Sequence, residues 1–234
     1  MGPKEWSSIC KYAVLFIVAV IVGMFIFPIQ ISIIGGQLLW LGSLILLSGS
    51  CAAIGYCITG VKLGLLIDGR KKISLSRLQT LLWTIVIISG LLAAAVLNLA
   101  KGEDPLNITI PSDLWFLMGI TTASLVISPI IKSEKDSNLM KNTDIHQAQL
   151  RDLFKGEEDG NEDRLDLGKV QMFYLTIIIV FAYAVQIAHL LSSGKVDAFP
   201  PISSGMTALL GISNAGYLAY KAAPHVAASP EAAT

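Results

Sequence analysis

From Tyr12 to Val61 the chain contains no Asp, Glu, Lys, Arg or His. A soluble core helix has no need of so long an uncharged stretch, whereas a bilayer span takes about 20 mainly apolar residues. The run holds two spans with a turn at Pro28 and Gly35-Gly36. Three further runs are comparably apolar: Leu81 to Ala100, Leu114 to Ile131 and Val170 to Leu191. The stretch from Ile202 to Ala222 is weaker, because Ser203, Ser204, Thr207, Ser213 and Asn214 dilute its Leu and Ala. It is accepted as a span on the repeat described below. The expected fold is therefore all-α, a polytopic membrane protein with six transmembrane helices. Composition agrees, since 53% of residues are hydrophobic and 15% charged, an apolar share above that of ordinary soluble domains.

Lys and Arg collect on the cytoplasmic side of a membrane protein. With six spans, all 17 of them except Lys101 and Lys195 fall on one side, so both termini are expected in the cytoplasm. The first apolar segment follows Lys4 and Lys11 but has no A-x-A-type cleavage site, and it reads as a retained span. Trp6 stands where a myristoylation signal needs Ser or Thr. Cys10, Cys51 and Cys57 have neither the spacing of a disulfide framework nor that of a thiolate metal site; they read as small packing residues.

At an offset of 92, Ser74-Leu75-Ser76-Arg77-Leu78-Gln79 aligns with Asp166-Leu167-Gly168-Lys169-Val170-Gln171. The same offset places Met118-Gly119-Ile120-Thr121-Thr122-Ala123 over Leu210-Gly211-Ile212-Ser213-Asn214-Ala215 without a gap. Spans 3-4 and 5-6 are thus expected to form a parallel internal repeat, because both copies start on the cytoplasmic side. The expected divisions are an N-terminal membrane hairpin (1–72), repeat 1 (73–132), a cytoplasmic acidic linker (133–165), repeat 2 (166–223) and a disordered tail (224–234).

Side chains that could carry chemistry are few. Arg77 and Lys169 at the repeat entrances are expected to snorkel to lipid phosphate. Gln79 and Gln171 beside them would hydrogen-bond a neighbouring helix or line a cytoplasmic vestibule. In the fifth span Gln171, Gln186, His189 and Ser193 share one helical face with Leu175, Ile178 and Ala182, and His189 is the one ionisable group read within a span, a functional candidate by default. Gly119 with Ala123, and Gly211 with Ala215, are small pairs four residues apart that let helices approach closely.

In the linker, Asp144 to Phe154 reads as a short amphipathic helix, followed by an acidic turn. Asp152, Phe154, Glu157 and Glu158 are the candidate docking residues for a cytoplasmic partner. Asp159, Asn161 and Asp163 imitate the start of a calcium loop, but Arg164 replaces its glycine and Val170 its bidentate glutamate. No nucleotide-binding glycine loop, H-E-x-x-H or nucleophile elbow is present. Zero net charge gives nucleic-acid binding no support, and neither a cofactor nor an enzymatic activity is expected.

Ile73 to Gln79 with Trp83, Asp152-Leu153-Phe154-Lys155-Gly156-Glu157-Glu158, Leu167 to Phe173 and Leu209 to Tyr217 resemble a set of bacterial multi-pass inner-membrane proteins over roughly the last two thirds of the chain. The resemblance implies a bacterial inner membrane and carries over no activity. Three functional classes remain. An oligomeric, channel-like or pore-forming assembly ranks first, narrowly ahead of a non-catalytic scaffold recruiting a partner through the 133–165 loop. A coupled transporter ranks last, since it normally needs an intramembrane acid or base. The expected partners are the lipid bilayer, further copies of the chain and, for a scaffold, a cytoplasmic protein.

Overall fold

The computed structural model describes residues 3–28, 35–134, 141–157, 164–192 and 194–223. Six helices run through them: α1 (Pro3–Ile26), α2 (Gly36–Thr59), α3 (Leu75–Ala100), α4 (Ser112–Glu134), α5 (Leu167–Ser192) and α6 (Ser204–Ala222). The only β-type pairings among the described residues are isolated bridges. Among the described residues four helices are long and apolar enough to cross a membrane: α2, α3, α5 and the Ser112–Ile131 part of α4. The apolar part of α1, Cys10–Ile26, is shorter, and the hydroxyl and amide groups of α6 keep it out of that set. In lipid a chain must satisfy its backbone polar groups within the segment, which helices do.

Local chemistry sets the helix ends. Gly60 adopts φ 75° and donates its N–H to Tyr56 O at 2.8 Å, closing α2 in the left-handed conformation that glycine tolerates. Asp166 Oδ1 accepts the Lys169 N–H at 3.1 Å at the start of α5, and Ser203 Oγ accepts the Met206 N–H at 3.3 Å at the start of α6; both are N-caps.

α3 is the central helix and packs against α1, α2, α4 and α5. Its Gly90, Ala93 and Ala94 face inward, the two alanines fully buried, and a Cβ on Gly90 would come within 3.2 Å of Ile187 on α5. Small residues at this crossing let the two backbones approach, the main source of helix association in lipid. The indole of Trp40 on α2 donates to Ser89 Oγ at 2.9 Å, and Trp83 packs against Tyr183 with ring centroids 5.7 Å apart. The start of α2 presses on the end of α5, where a Cβ on Gly36 would overlap the Leu191 carbonyl.

α3 and α5 run in the same direction, because their starts meet through the loops before them and their ends meet through Asn98. The Asn98 amide donates to Val196 O at 2.8 Å and accepts the Val196 N–H at 3.0 Å. Both helices have 26 residues and start 92 positions apart; α4 and α6, of 23 and 19 residues, also start 92 positions apart. A 3-10 turn (Gly64–Leu66) precedes α3 and another (Leu150–Leu153) precedes α5. Ser74 donates its N–H to Leu66 O at 2.8 Å, and Asp166, again 92 positions on, donates to Phe154 O at 2.8 Å.

Two expectations need correction. Asp144 to Phe154 is not one amphipathic helix but two 3-10 turns, Ile145–Gln147 and Leu150–Leu153, separated by extended backbone at Ala148 and Gln149. Asp144 and Gln149 each cap their own turn, and these local hydrogen bonds compete with a continuous helix. Secondly, Cys10 and Cys57 are joined in a disulfide, with Cα atoms 5.6 Å apart, inside the bonding range. They are 47 residues apart, and only the antiparallel packing of α1 on α2 brings them side by side. Cys51 remains a free thiol. Thiol titration of the denatured protein without reductant should therefore give one reactive group per chain, and three after reduction. Three before reduction would contradict the pairing.

Candidate functional site

The loops before α3 and α5 carry a network of ionised groups that is almost wholly buried. Asp68 and Arg70 lie in the tight turn that follows the first 3-10 segment. Asp68 accepts the Arg70 backbone N–H at 2.9 Å, its Nε at 3.1 Å and its Nη2 at 2.9 Å. Because the carboxylate binds both the backbone and the guanidinium of one neighbour, the turn is fixed in a single shape.

Glu157, arriving from the linker, joins this turn to the helices. Its carboxylate lies 3.2 Å from Arg70 Nη2, 3.0 Å from Lys169 Nζ and 3.1 Å from Lys221 Nζ. Lys169 is 3% and Lys221 8% exposed, so water screens these contacts little. Lys169 Nζ also donates to the carbonyls of Lys155 at 2.7 Å and Asp152 at 3.4 Å. Lys221 Nζ donates to Ser128 Oγ at 2.6 Å and to Tyr217 OH at 3.0 Å. One carboxylate thus ties the linker to the α3 entrance turn, the first turn of α5 and the last turn of α6, while Ser128 adds α4. Burial acts to lower the Arg70 pKa, but the carboxylates of Glu157 and Asp68 outweigh it, and the guanidinium ends above its ordinary value. Lys72 next to it shifts down, chiefly through burial and then through repulsion from Arg70.

The sequence-predicted residues do not come together in one place. Asp152 and Glu157, expected to meet a cytoplasmic partner, are engaged within the chain: Asp152 Oδ2 accepts the N–H of Ile73 at 3.3 Å and of Gln149 at 2.9 Å. Phe154 stacks edge-on against Phe173 of α5 with centroids 4.9 Å apart. Glu158 and the calcium-like Asp159, Asn161 and Asp163 lie outside the described residues, as does Ser193. Lys169 does not snorkel; it turns inward to Glu157, because the linker folds over the α5 entrance and supplies a nearer anion than the lipid. Gln79 is fully buried on α3, and neither amide atom has a hydrogen-bond partner among the described residues.

Gln171, Gln186 and His189 are exposed on the outer face of α5. Gly119, Ala123 and Ala215 also face outward, while Gly211 is half-buried with its nearest neighbour Ile120 on α4. Within the chain, the close approach falls instead to Gly90, Ala93 and Ala94. Sequence reasoning missed Asp68, Arg70, Ser128, Tyr217 and Lys221. The one local signal was Tyr217 and Lys221, four residues apart on one helical face. Among the described residues no group of His, Cys, Asp and Glu could hold a metal ion. No family model, curated protein or solved structure matches the chain.

Two substitutions test the energetics. Glu157→Gln leaves three buried cations without their shared anion, and should lower stability by about 3–5 kcal/mol, read as a large fall in the melting temperature in detergent. A near-neutral effect would show that the cluster is hydrated. Gln79→Leu removes a buried amide with no partner and should be neutral or stabilising by about 1 kcal/mol. A clear loss of stability would place a hydrogen-bonding partner at that amide.

Proposed function

We propose that this all-helical membrane protein works as an oligomer of identical chains with channel-like character, in which the outer face of α5 meets a neighbour or a shared aqueous axis. The observation that carries this reading is the exposure of Gln186 and His189. At 1.5 Å per residue, Gln186 lies about 10 Å from the midpoint of α5, inside a hydrocarbon layer about 30 Å thick, and His189 about 14 Å, at its edge. An amide facing acyl chains has nothing to hydrogen-bond, so a single chain in lipid would leave Gln186 costly. The outward Gly119 and Ala123 support the same reading, since a second helix can approach closely there.

Six spans belong to this proposal. α1 and α6 complete the bundle, the starts of α3 and α5 and of α4 and α6, each pair 92 positions apart, support a duplicated parallel hairpin, and the bias of Lys and Arg favours both termini in the cytoplasm of a bacterial inner membrane. That orientation sets Cys10–Cys57 on the reducing side. A disulfide that survives in intact cells would therefore argue for the opposite orientation. The scaffold reading loses ground, because Asp152 and Glu157 are occupied within the chain.

Purified protein in a planar bilayer should conduct. Gln186→Leu should change unitary conductance if the amide lines the axis, with assembly retained. If the amide only joins subunits, the same change should weaken assembly, by about 0.6 kcal/mol for each lost interhelical hydrogen bond. A silent, monomeric protein whose behaviour is unaltered by Gln186→Leu would refute the proposal.

A further inference from the structure

Beside the charge cluster, between α3, α4 and the turn at 65–70, lies a cavity of about 760 Å³, within the size range of small-molecule sites. Its walls are graded. Arg70, Arg77 and Lys141 stand at the level of the helix entrance, together with Ser74 and Ser128. The one carboxylate on the wall, Asp68, is already bound by Arg70. From Ser74 to Thr84 the α3 wall descends ten residues, about 15 Å along the helix axis, and its deeper part is faced by Leu81 and by Leu125 of α4. The hydroxyls down this wall are satisfied by backbone: Thr80 donates to Ser76 O at 3.0 Å and Thr84 to Thr80 O at 2.7 Å. The Leu81–Leu125 end of the cavity therefore suits apolar contact and its entrance-level end negative charge.

The two guanidiniums at the entrance-level end have donors to spare. Arg77 is half-buried and donates to the Leu65 carbonyl at 3.3 Å, and it meets no carboxylate among the described residues. Arg70 is 5% exposed, and its Nη1 has no hydrogen-bond partner among the described residues. The planar fork of a guanidinium matches two oxygens of a phosphate, and basic pockets between membrane helices on the cytoplasmic side suit phosphate headgroups.

We infer that this cavity binds an anionic phospholipid, with its phosphate against Arg77 and Arg70 and one acyl chain along Leu81 and Leu125. A soluble phosphate ester shares the headgroup chemistry, but it would leave the apolar depth of the cavity unfilled.

The test uses the full chain, delipidated in neutral detergent and offered mixtures of phosphatidylglycerol and phosphatidylcholine, with bound lipid counted by native mass spectrometry. About one phosphatidylglycerol per chain should be retained, with roughly tenfold preference over phosphatidylcholine. Arg77→Gln should abolish the preference and Arg77→Lys restore part of it. Leu125→Trp, which fills the apolar depth and leaves every charge in place, should also lose the lipid. Lys195→Gln, at the opposite end of the bundle, should change nothing. Equal retention of the two lipids, or Arg77→Gln and Leu125→Trp variants that both keep the preference, would overturn the site. Glycerol 3-phosphate binding as tightly as the lipid in its absence would overturn the lipid assignment in favour of a free phosphate ester.

Discussion

Glu157 is the point on which the entrance side of the bundle depends. A carboxylate buried among three cations is costly to remove, because the cations around it are then short of negative charge, and each of the three comes from a different segment: Arg70 before α3, Lys169 in α5 and Lys221 at the end of α6. Hydrophobic packing in lipid gives weak preference for one helix arrangement over another, since acyl chains are as apolar as leucine. A directional ionic contact at the helix ends supplies the missing specificity. It selects the register in which the two entrance turns and the end of α6 converge.

The opposite end is held differently. There Asn98 clasps the Val196 backbone, Thr109 donates its N–H to Asp197 O at 2.9 Å and accepts that of Phe199 at 2.9 Å, and the Lys195 pairs with Glu103 and Asp197 are solvent-exposed, where ion pairs contribute little. One end is thus bound by buried charge and the other by backbone hydrogen bonds. The middle relies on close contact at Gly90, Ala93 and Ala94. The cavity beside α3 carries Arg70, Arg77 and Lys141 on its wall at the ionic end, which is the end where an anionic ligand would be held by charge.

Much of the fold could be read from residues alone, because charge-free apolar runs in lipid leave the backbone little choice but helix. α3 and α5 begin 92 positions apart, the offset at which the sequence aligns with itself. The site could not be read in the same way. Lys169 was expected to reach lipid phosphate and Glu157 a partner protein, and each expectation treated a charge as solvated; the contact that joins them depends on the linker folding back, which no local pattern encodes. The Cys10–Cys57 disulfide escaped for the same reason, since pairing across two helices is a property of packing and not of spacing. Asp144 to Phe154 carried a helical period, but its two capping residues divide it into separate turns.

Glu157 holds the linker against the helix entrances in the native state, and hydrogen exchange tests this most directly. The Asp166 N–H bonded to Phe154 O and the Gly156 N–H bonded to Arg164 O should exchange slowly in the native protein, on the timescale of the bundle interior. Both should become fast in Glu157→Gln while amides of α3 around Ala93 stay protected. Fast exchange at Asp166 and Gly156 in the unaltered protein, or protection there that Glu157→Gln leaves intact, would contradict the account.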